Sequence, residues 1–214
     1  MSSPVRDAIE RELRLGAAPS SARSEQAAAA AERLVERVAA DGLADIAYAT
    51  LDSPLGELHA AVTRRGLVRI GFAEEGSDEL AQELAQRLSA RIVRAPRMLD
   101  PVRRELEEYF AGSRTRFELE LDWALIGPFA RRVLARTAAI PYGSHASYGE
   151  IAAEAGSPRG ARAAGNALGS NPIPIVIPCH RVLHAGGGLG GYGGGLERKR
   201  WLLALEGELD RPAR

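Results

Sequence analysis

Residues 147–169 read SYGEIAAEAGSPRGARAAGNALG, and this stretch predicts two short helices joined by a tight turn. Gly156 is the residue type that most often follows a helix end. Ser157 and Pro158 are the types favoured at the N-cap and at the first position of the next helix. Two helices across so short a turn have helix-turn-helix form, which permits DNA binding. An ordinary αα-hairpin gives the same pattern, so the stretch alone leaves both interpretations open.

The second of these helices carries almost no long side chains. After Arg159 its only long residue is Arg162, because the neighbouring positions hold Gly160, Ala161, Ala163, Ala164, Gly165 and Ala167. Base reading in the major groove needs several polar side chains. The bare helix therefore suits close approach to a shallower, narrower groove, with the arginine inserted into the base stack. The alternative is that the small residues pack tightly in the core.

The next segment, NPIPIVIPCHRV at residues 171–182, contains the only cysteine of the chain. Its three prolines remove backbone donors, so it cannot be a central strand, and we expect an extended segment through a domain interior. Neighbours in an extended chain point to opposite sides, so Cys179 and His180 are not expected to touch. A water molecule or a turn would be needed for the histidine to take the thiol proton. The pattern fits either a nucleophile with a nearby base or a buried structural thiol.

A glycine-rich stretch follows, with eight glycines between residues 186 and 195 around Tyr192. It lacks the GK[ST] ending of a P-loop. A backbone this bare can approach a planar ligand closely. Composition alone favours the other interpretation, a loose surface loop. We attribute the sole lysine, Lys199, to compositional drift.

The chain upstream predicts a small α/β domain preceded by a helical extension. Residues 1–45 are rich in Ala, Glu and Arg and predict one or two helices around the linker GAAPSSARS, with no assigned role. Residues 46–122 predict a three-stranded meander, a helix, a strand at ARIVRA, a second helix and a last strand at RFELEL. Residues 128–208 form the helical domain with the cysteine, and 209–214 form a tail.

Composition excludes several classes of protein. The formal net charge is zero, so no global basic field marks a nucleic-acid binder, although Arg and Lys outnumber acids between Tyr148 and Arg200. One cysteine allows neither an intramolecular disulfide nor a cysteine-rich zinc cluster, and we expect a reducing cytoplasm. No apolar run approaches the ~20 residues that span a bilayer, and no signal-peptide pattern is found at the N-terminus.

Four motifs resemble the O6-alkylguanine-DNA alkyltransferases, also called methylated-DNA–protein-cysteine methyltransferases. They are IPYG, SYGEIA, ARAAGNALGSNPIPIVIPCHRV and GYGGGLERKRWLLALEG, and the similarity covers about residues 46–208. The resemblance implies a ribonuclease-H-like α/β domain followed by a mainly helical domain with a helix-turn-helix. It also implies direct-reversal DNA repair, in which an alkyl group moves irreversibly from O6-alkylguanine, and from O4-alkylthymine, to Cys179. Each molecule would act once, on a flipped nucleotide, without a cofactor.

The resemblance assigns catalytic roles to five residues. Cys179 would be the alkyl acceptor and His180 its water-mediated base. Glu206 would orient the histidine, and Asn171 would brace the turn around the cysteine. Tyr148 would help to rotate the phosphate and protonate the leaving guanine.

The resemblance also assigns residues to the DNA and to the flipped base. Arg162 would fill the gap that the flipped nucleotide leaves. Other positions expected at the DNA are those beside it, namely Ser147, Tyr148, Ala161 and Gly165. The base itself would be held by Val182, through its carbonyl, and by Tyr192 and Gly193.

The chain departs from the family in the helix before IPYG, where a glutamine and a tryptophan are replaced by Ala130 and Leu134. Some relatives bind zinc through cysteines in the first domain, a site that this chain cannot form in that way, so we expect no metal. The expected partner is double-stranded DNA, contacted in the minor groove by a monomer, with cooperative binding left open. A cysteine hydrolase and a non-repairing binder of alkylated DNA are the alternatives.

Overall fold

The structure is a computed structural model that describes residues 21–207 of the chain. A long helix, α1 (Ser21–Ala40), precedes a four-stranded sheet. The helix includes residues 21–24, which the sequence predicted as part of the linker. The predicted helix at residues 5–15 and the tail at 209–214 lie outside the described residues. No helix within the described range is long and apolar enough to cross a membrane.

The sheet is built from the predicted meander and one further strand. Strands β1 (Ile46–Leu51), β2 (Leu58–Thr63) and β3 (Gly66–Phe72) are antiparallel neighbours. The short β4 (Ile92–Arg94) pairs with β1 in parallel, which gives the order β3-β2-β1-β4. Their alternating apolar residues are buried on both faces of the sheet, as expected for a sheet covered by helices.

Two helices complete this first part of the chain. Helix α2 (Ser77–Arg87) buries Leu80 and Leu84 against one face of the sheet, where a small separate cluster forms around Ile46. Helix α3 (Asp100–Phe110) follows a 3-10 turn at Pro96–Leu99 and buries its apolar side in the main core. The main core continues into the second half of the chain without a break, so the two halves share one hydrophobic interior.

The predicted strand RFELEL is wrong. Residues 116–120 form no strand, and only Leu121 makes a bridge, to Leu67 on β3. The reason lies at the edge of β3. Leu67 exchanges backbone hydrogen bonds of 2.8 Å with Glu120 and Asp122. Farther along β3, however, the Ile70 amide donates to the carbonyl of Pro172 at 2.8 Å. The segment before the cysteine thus occupies the edge that a longer strand would need.

The second half is mainly helical, as predicted. It contains α4 (Pro128–Ala138), α5 (Tyr148–Glu154), α6 (Ala161–Gly169) and α7 (Leu196–Leu205). A two-stranded parallel ladder joins β5 (Ala146–Ser147) to β6 (Val182–Leu183). This ladder ties the start of α5 to the two residues that follow the turn at residues 179–181, which contains the cysteine.

The turn between α5 and α6 differs from prediction at one end. Gly156 follows α5 with φ of 81°, the left-handed conformation that glycine adopts most easily. Ser157 and Pro158, however, do not start α6. They lie in a turn closed by Gly160 N–H to Ser157 C=O (2.8 Å), and the helix begins at Ala161 after Gly160. The turn pairs the N–H of Gly160, which would lack a partner within the helix if the helix began at Ser157 or Pro158.

Helix α1 lies against β4 and the 3-10 turn that follows it. Glu36 accepts a hydrogen bond from the Arg97 backbone N–H at 3.0 Å, and Val35 packs on the main core. The extension therefore contacts the α/β part of the molecule.

Candidate active site

The segment around the cysteine is buried but not extended. Residues 171–183 are all buried, as predicted. The chain folds through turns instead. Ile175 has φ of 74°, and the Val176 amide bonds back to Pro174 at 3.0 Å. A second such bond of 2.8 Å runs from the Cys179 amide to the Ile177 carbonyl. Since the prolines have no N–H to donate to a ladder, local turns of this kind satisfy the buried backbone.

Cys179 begins a 3-10 turn, Cys179–Arg181, and is braced by Asn171. The side-chain amide of Asn171 donates to Sγ of Cys179 at 3.2 Å and to the Ile177 carbonyl at 2.9 Å. Its oxygen accepts from the Ile173 amide at 3.0 Å. One buried side chain therefore fixes both arms of the turn and supplies a donor to the sulfur.

The thiol holds its proton at neutral pH. Burial raises the pKa of Cys179 from 9.0 to about 11, although the Asn171 hydrogen bond and the positive charge of Lys199 act in the opposite direction. A thiolate is a far better nucleophile than a thiol. The site therefore needs a group that removes this proton as reaction occurs.

His180 follows the cysteine and is fully buried. Its Nε2 lies 3.0 Å from Oε1 of Glu206. Burial lowers the pKa of His180, against the opposing effect of the Glu206 carboxylate, so the imidazole is neutral at neutral pH. The carboxylate can only accept, which assigns the ring proton to Nε2 and leaves Nδ1 as an acceptor. That Nδ1 is buried and has no hydrogen-bond partner within residues 21–207.

Glu206 collects donors from three parts of the chain. Arg181 makes a bidentate pair with it, Nε to Oε2 and Nη2 to Oε1, both at 2.8 Å. Tyr109 donates its hydroxyl to Oε1 at 2.6 Å, and the Gly143 amide approaches Oε2 at 3.3 Å. Burial opposes ionisation of this carboxyl, but the hydrogen bonds from His180 and Arg181 outweigh it and lower its pKa to about 2. The carboxylate is thus a fixed anion rather than a proton acceptor.

A cavity of about 580 Å³ opens beside the thiol. Most of the residues predicted at the DNA or the base line it together with Cys179: Tyr148, Ala161, Arg162, Gly165, Tyr192 and Gly193. Arg162 is exposed and forms no ion pair in the described part of the chain. The structure therefore brings a long cation, small residues of α6 and the nucleophile to one concave surface.

Tyr148 and Tyr192 both line this cavity, and their hydroxyl groups differ in hydrogen bonding. Burial, followed by the proximity of Cys179, raises the pKa of Tyr148, whose hydroxyl lies 3.4 Å from the Gly191 carbonyl. The Tyr192 hydroxyl is buried without a partner among the described residues, and burial also raises its pKa. Its ring meets those of Phe72 and His180 edge-on, at 6.2 and 6.4 Å.

Two of the residues predicted at the DNA or the base lie outside the cavity. Ser147 caps α5 in a capping box, with its hydroxyl accepting from the Glu150 amide at 3.2 Å. Val182 is buried, and its carbonyl, which was expected to meet the base, accepts from Lys199 Nζ at 2.7 Å. A carbonyl has two lone pairs, so this bond leaves one for a ligand.

The glycine-rich stretch is held in place, in contrast to the loose loop that its composition favoured. Lys199 is fully buried and donates to the carbonyls of Leu189 and Gly191 as well as Val182. Arg198 donates to the Gly194 carbonyl at 3.0 Å and pairs with Glu74 of the first half at 2.8 Å. A Cβ on Gly194 would come within 2.4 Å of the Phe72 ring, so only glycine allows this approach.

Three site residues were not predicted: Tyr109, Arg181 and Lys199. Arg181 lies inside the PCHRV motif, directly after the histidine, and that position was the available signal. The interpretation of Lys199 as compositional drift is wrong, since this side chain is buried and donates to three backbone carbonyls. Nothing in the sequence connects Tyr109 to the site.

Comparison with known proteins matches both halves of the chain. Residues 46–123 match the family model described as "6-O-methylguanine DNA methyltransferase, ribonuclease-like domain". Residues 128–208 match "6-O-methylguanine DNA methyltransferase, DNA binding domain". The two-part fold predicted from the resemblance is thereby confirmed.

Two curated proteins that are similar to this chain carry the same name. The methylated-DNA–protein-cysteine methyltransferase of Mycolicibacterium paratuberculosis is 44% identical over 162 residues, 75% of this chain and 92% of that protein. The human protein of the same name is 38% identical over 165 residues, covering 74% and 79%. The structure of Mycobacterium tuberculosis OGT in complex with DNA superposes with a TM-score of 0.65 at 42% identity, covering 75% and 93%. On these matches, the chain belongs to the methylated-DNA–protein-cysteine methyltransferase family.

Proposed function

We propose that this protein repairs alkylated DNA by moving the alkyl group of O6-alkylguanine, and of O4-alkylthymine, irreversibly onto Cys179. The observation that carries the proposal is the position of that thiol. It lines the cavity that holds Arg162 of α6, and it directly precedes a buried histidine fixed by a carboxylate. Shared membership of the family supports it further.

The proposed reaction is a displacement at the alkyl carbon. Sγ of Cys179 forms the new S–C bond while the C–O6 bond breaks, and the electron pair of that bond stays with guanine. The thiol proton passes to Nδ1 of His180 through a water molecule, and Tyr148 supplies a proton that makes the departing guanine neutral. The raised pKa of Tyr148 keeps it protonated at neutral pH, as a donor must be. The thioether is stable, so each molecule reacts once.

The partner is double-stranded DNA, entered from the minor groove. The target carbon is hidden inside the base stack, so the nucleotide must be flipped out, at a cost of about a few kcal/mol. Helix α6 exposes Ala161 and Arg162 beside the cavity, and small residues allow close approach to a narrow groove. Arg162 would then occupy the gap in the stack. We expect a monomer to carry out this reaction in the cytoplasm.

The test is the mass of the protein after incubation with duplex DNA containing one O6-methylguanine. The expected result is the gain of one methylene, located on Cys179, in at most one copy per molecule. The Cys179→Ser variant should keep its fold and DNA affinity and gain nothing. Binding without a mass change would instead indicate a non-repairing binder, and repeated turnover of an ester or amide would indicate a hydrolase.

A further inference from the structure

Tyr109 lies in the first half of the chain, near the end of α3, yet its hydroxyl reaches the site. The residue is completely buried, and 97 positions separate it from its partner Glu206. Its ring packs against Phe117 and Tyr142, with ring centroids 5.2 and 6.1 Å away. This packing aims the hydroxyl at one oxygen, Oε1 of Glu206, at 2.6 Å.

The direction of this hydrogen bond is fixed by the protonation states. Glu206 is ionised, so it accepts. Burial, followed by the neighbouring carboxylate, raises the pKa of Tyr109 far above its ordinary value, so the phenol keeps its proton. A short bond from a hydroxyl to a carboxylate is among the stronger hydrogen bonds in proteins.

The accepting oxygen is the one that His180 uses. Oε1 also receives Nε2 of His180 at 3.0 Å and Nη2 of Arg181 at 2.8 Å. Three donors on one oxygen hold the carboxylate in a single rotamer. They also spread its negative charge, so that less of it is available to stabilise a protonated imidazole.

We propose that Tyr109 is a positioning residue for His180, which acts through Glu206 so that the α/β half of the molecule forms part of the alkyl-transfer site. The inference rests on the proposed alkyl transfer. Tyr109 keeps its proton throughout and touches neither the thiol nor the alkyl group. Its function is to set the orientation of the imidazole and the ease with which Nδ1 takes the thiol proton.

The effect of removing this hydroxyl has a definite sign. Without it, more of the Glu206 charge faces the imidazole, so protonated His180 becomes more stable and frees Nδ1 only at higher pH. The other groups that act on the histidine are unchanged by the substitution. They are the cations Arg181 and Lys199, which disfavour its protonation, together with the adjacent Cys179 and the Tyr192 ring 6.4 Å away.

The experiment compares Tyr109→Phe with Tyr142→Phe. Both remove one hydroxyl from neighbouring rings, but Tyr142 donates to a backbone carbonyl, that of Leu205, at 3.0 Å. The rate of reaction with free O6-benzylguanine is measured between about pH 5 and 9, with thermal unfolding in parallel. We expect Tyr109→Phe to move the acid limb of the pH–rate profile to higher pH by about one unit. The rate at a given pH on that limb should therefore fall about tenfold. Tyr142→Phe should leave the limb in place.

Two further arms keep the test decisive if Tyr109→Phe folds poorly. Incorporation of 3-fluorotyrosine at position 109 keeps the hydroxyl and makes it a stronger donor, so the acid limb should move to lower pH. In a Glu206→Gln background, adding Tyr109→Phe should not shift the pH–rate profile further. The glutamine has no negative charge through which Tyr109 could influence His180. A profile for Tyr109→Phe that superposes on that of the parent protein would overturn the inference, as would an equal shift in the Glu206→Gln background. A parent protein that accepts no alkyl group would instead refute the proposed function.

Discussion

Asn171 donates to Sγ of Cys179 at 3.2 Å, and it is the one side chain among the described residues that hydrogen-bonds the sulfur. The same amide holds the Ile177 carbonyl across the turn. Asn171 therefore couples the shape of the turn to the acidity of the nucleophile. Its donor counteracts burial, which is the largest influence on the pKa of the thiol.

Replacing Asn171 by Ala should raise the pKa of Cys179 further above about 11 and slow alkyl transfer about tenfold or more. Thiolate absorbance against pH measures the first effect, and reaction with O6-benzylguanine measures the second. Ser170→Ala is the matched control. Within the described residues, its hydroxyl bonds only to carbonyls of the last turn of α6, at 3.1 and 3.2 Å. An unchanged thiol pKa in the Asn171 variant would contradict the role given to this donor.

Arg162→Ala should separate flipping from chemistry. The side chain is exposed on α6 beside the cavity, so its loss leaves the nucleophile and its base intact. We expect the rate on duplex DNA to fall by about tenfold or more, because no side chain then occupies the gap that the flipped nucleotide leaves in the base stack. The rate with free O6-benzylguanine should stay within about twofold of the parent rate.

Arg159→Ala serves as the control for charge alone. Arg159 is an exposed arginine in the turn just before α6, so its loss removes the same charge near the same surface. Its effect on duplex repair should be small and should shrink as salt increases. Equal losses on both substrates for Arg162→Ala would show that the residue supports the fold instead.

The local elements of this fold are largely readable from the sequence, while the contacts between its halves are not. Alternation predicts β1, β2 and β3, and helical spacing predicts α2 to α5, with a glycine shortly after α3, α4 and α5. The alternation of RFELEL is equally clear, yet it forms no strand because the edge of β3 is shared with Pro172. Which segment pairs with the edge of β3 depends on tertiary contacts, and a local sequence pattern does not contain that information.

The site shows the same division. Asn171, Cys179 and His180 occur within ten positions of one motif, so a resemblance to that motif predicts all three together. Lys199 had a local signal, since Leu202 and Leu203 at three and four positions beyond it are buried on the same face of α7. Tyr109 had none, because its partner is 97 residues away and is reached only after the two halves pack.

Glu206 should make the stability of the protein sensitive to acid. Its pKa falls from 4.5 to about 2 on folding, so the folded state binds fewer protons than the unfolded chain between these values. The stabilisation is therefore complete above pH 4.5 and is lost as pH falls toward 2, an effect of about 3 kcal/mol. Denaturant unfolding at a series of pH values should show a steep decline for the parent and a shallower one for Glu206→Gln. Parallel declines would mean that other carboxyls dominate.

Lys199→Met should loosen the glycine-rich stretch. The ammonium is the donor shared by the carbonyls of Val182, Leu189 and Gly191, and methionine fills similar space without donating. Amide hydrogen exchange at residues 188–195 should accelerate about tenfold or more, while exchange in the sheet stays unchanged.

Burial lowers the pKa of Lys199 to about 8, so raising pH through 8 should loosen the same residues in the parent protein. Arg200→Met, at an exposed position of α7, is the control, and equal exchange in both variants would contradict the anchoring role.

Helix α1 should contribute to stability and not to chemistry. It meets the α/β half through Glu36, which accepts the Arg97 amide at 3.0 Å, and through Val35 on the core. None of its described side chains lines the cavity beside Cys179. Deleting residues 1–42 should therefore lower Tm by about 3–6 °C, equivalent to about 1–2 kcal/mol, and leave the rate on duplex DNA within about threefold.

The point variant Glu36→Ala should reproduce part of the Tm loss, and Glu25→Ala, at an exposed position of the same helix, should not. A truncated protein as stable as the parent would refute docking, and one that folds normally but no longer repairs DNA would place the extension within the repair machinery.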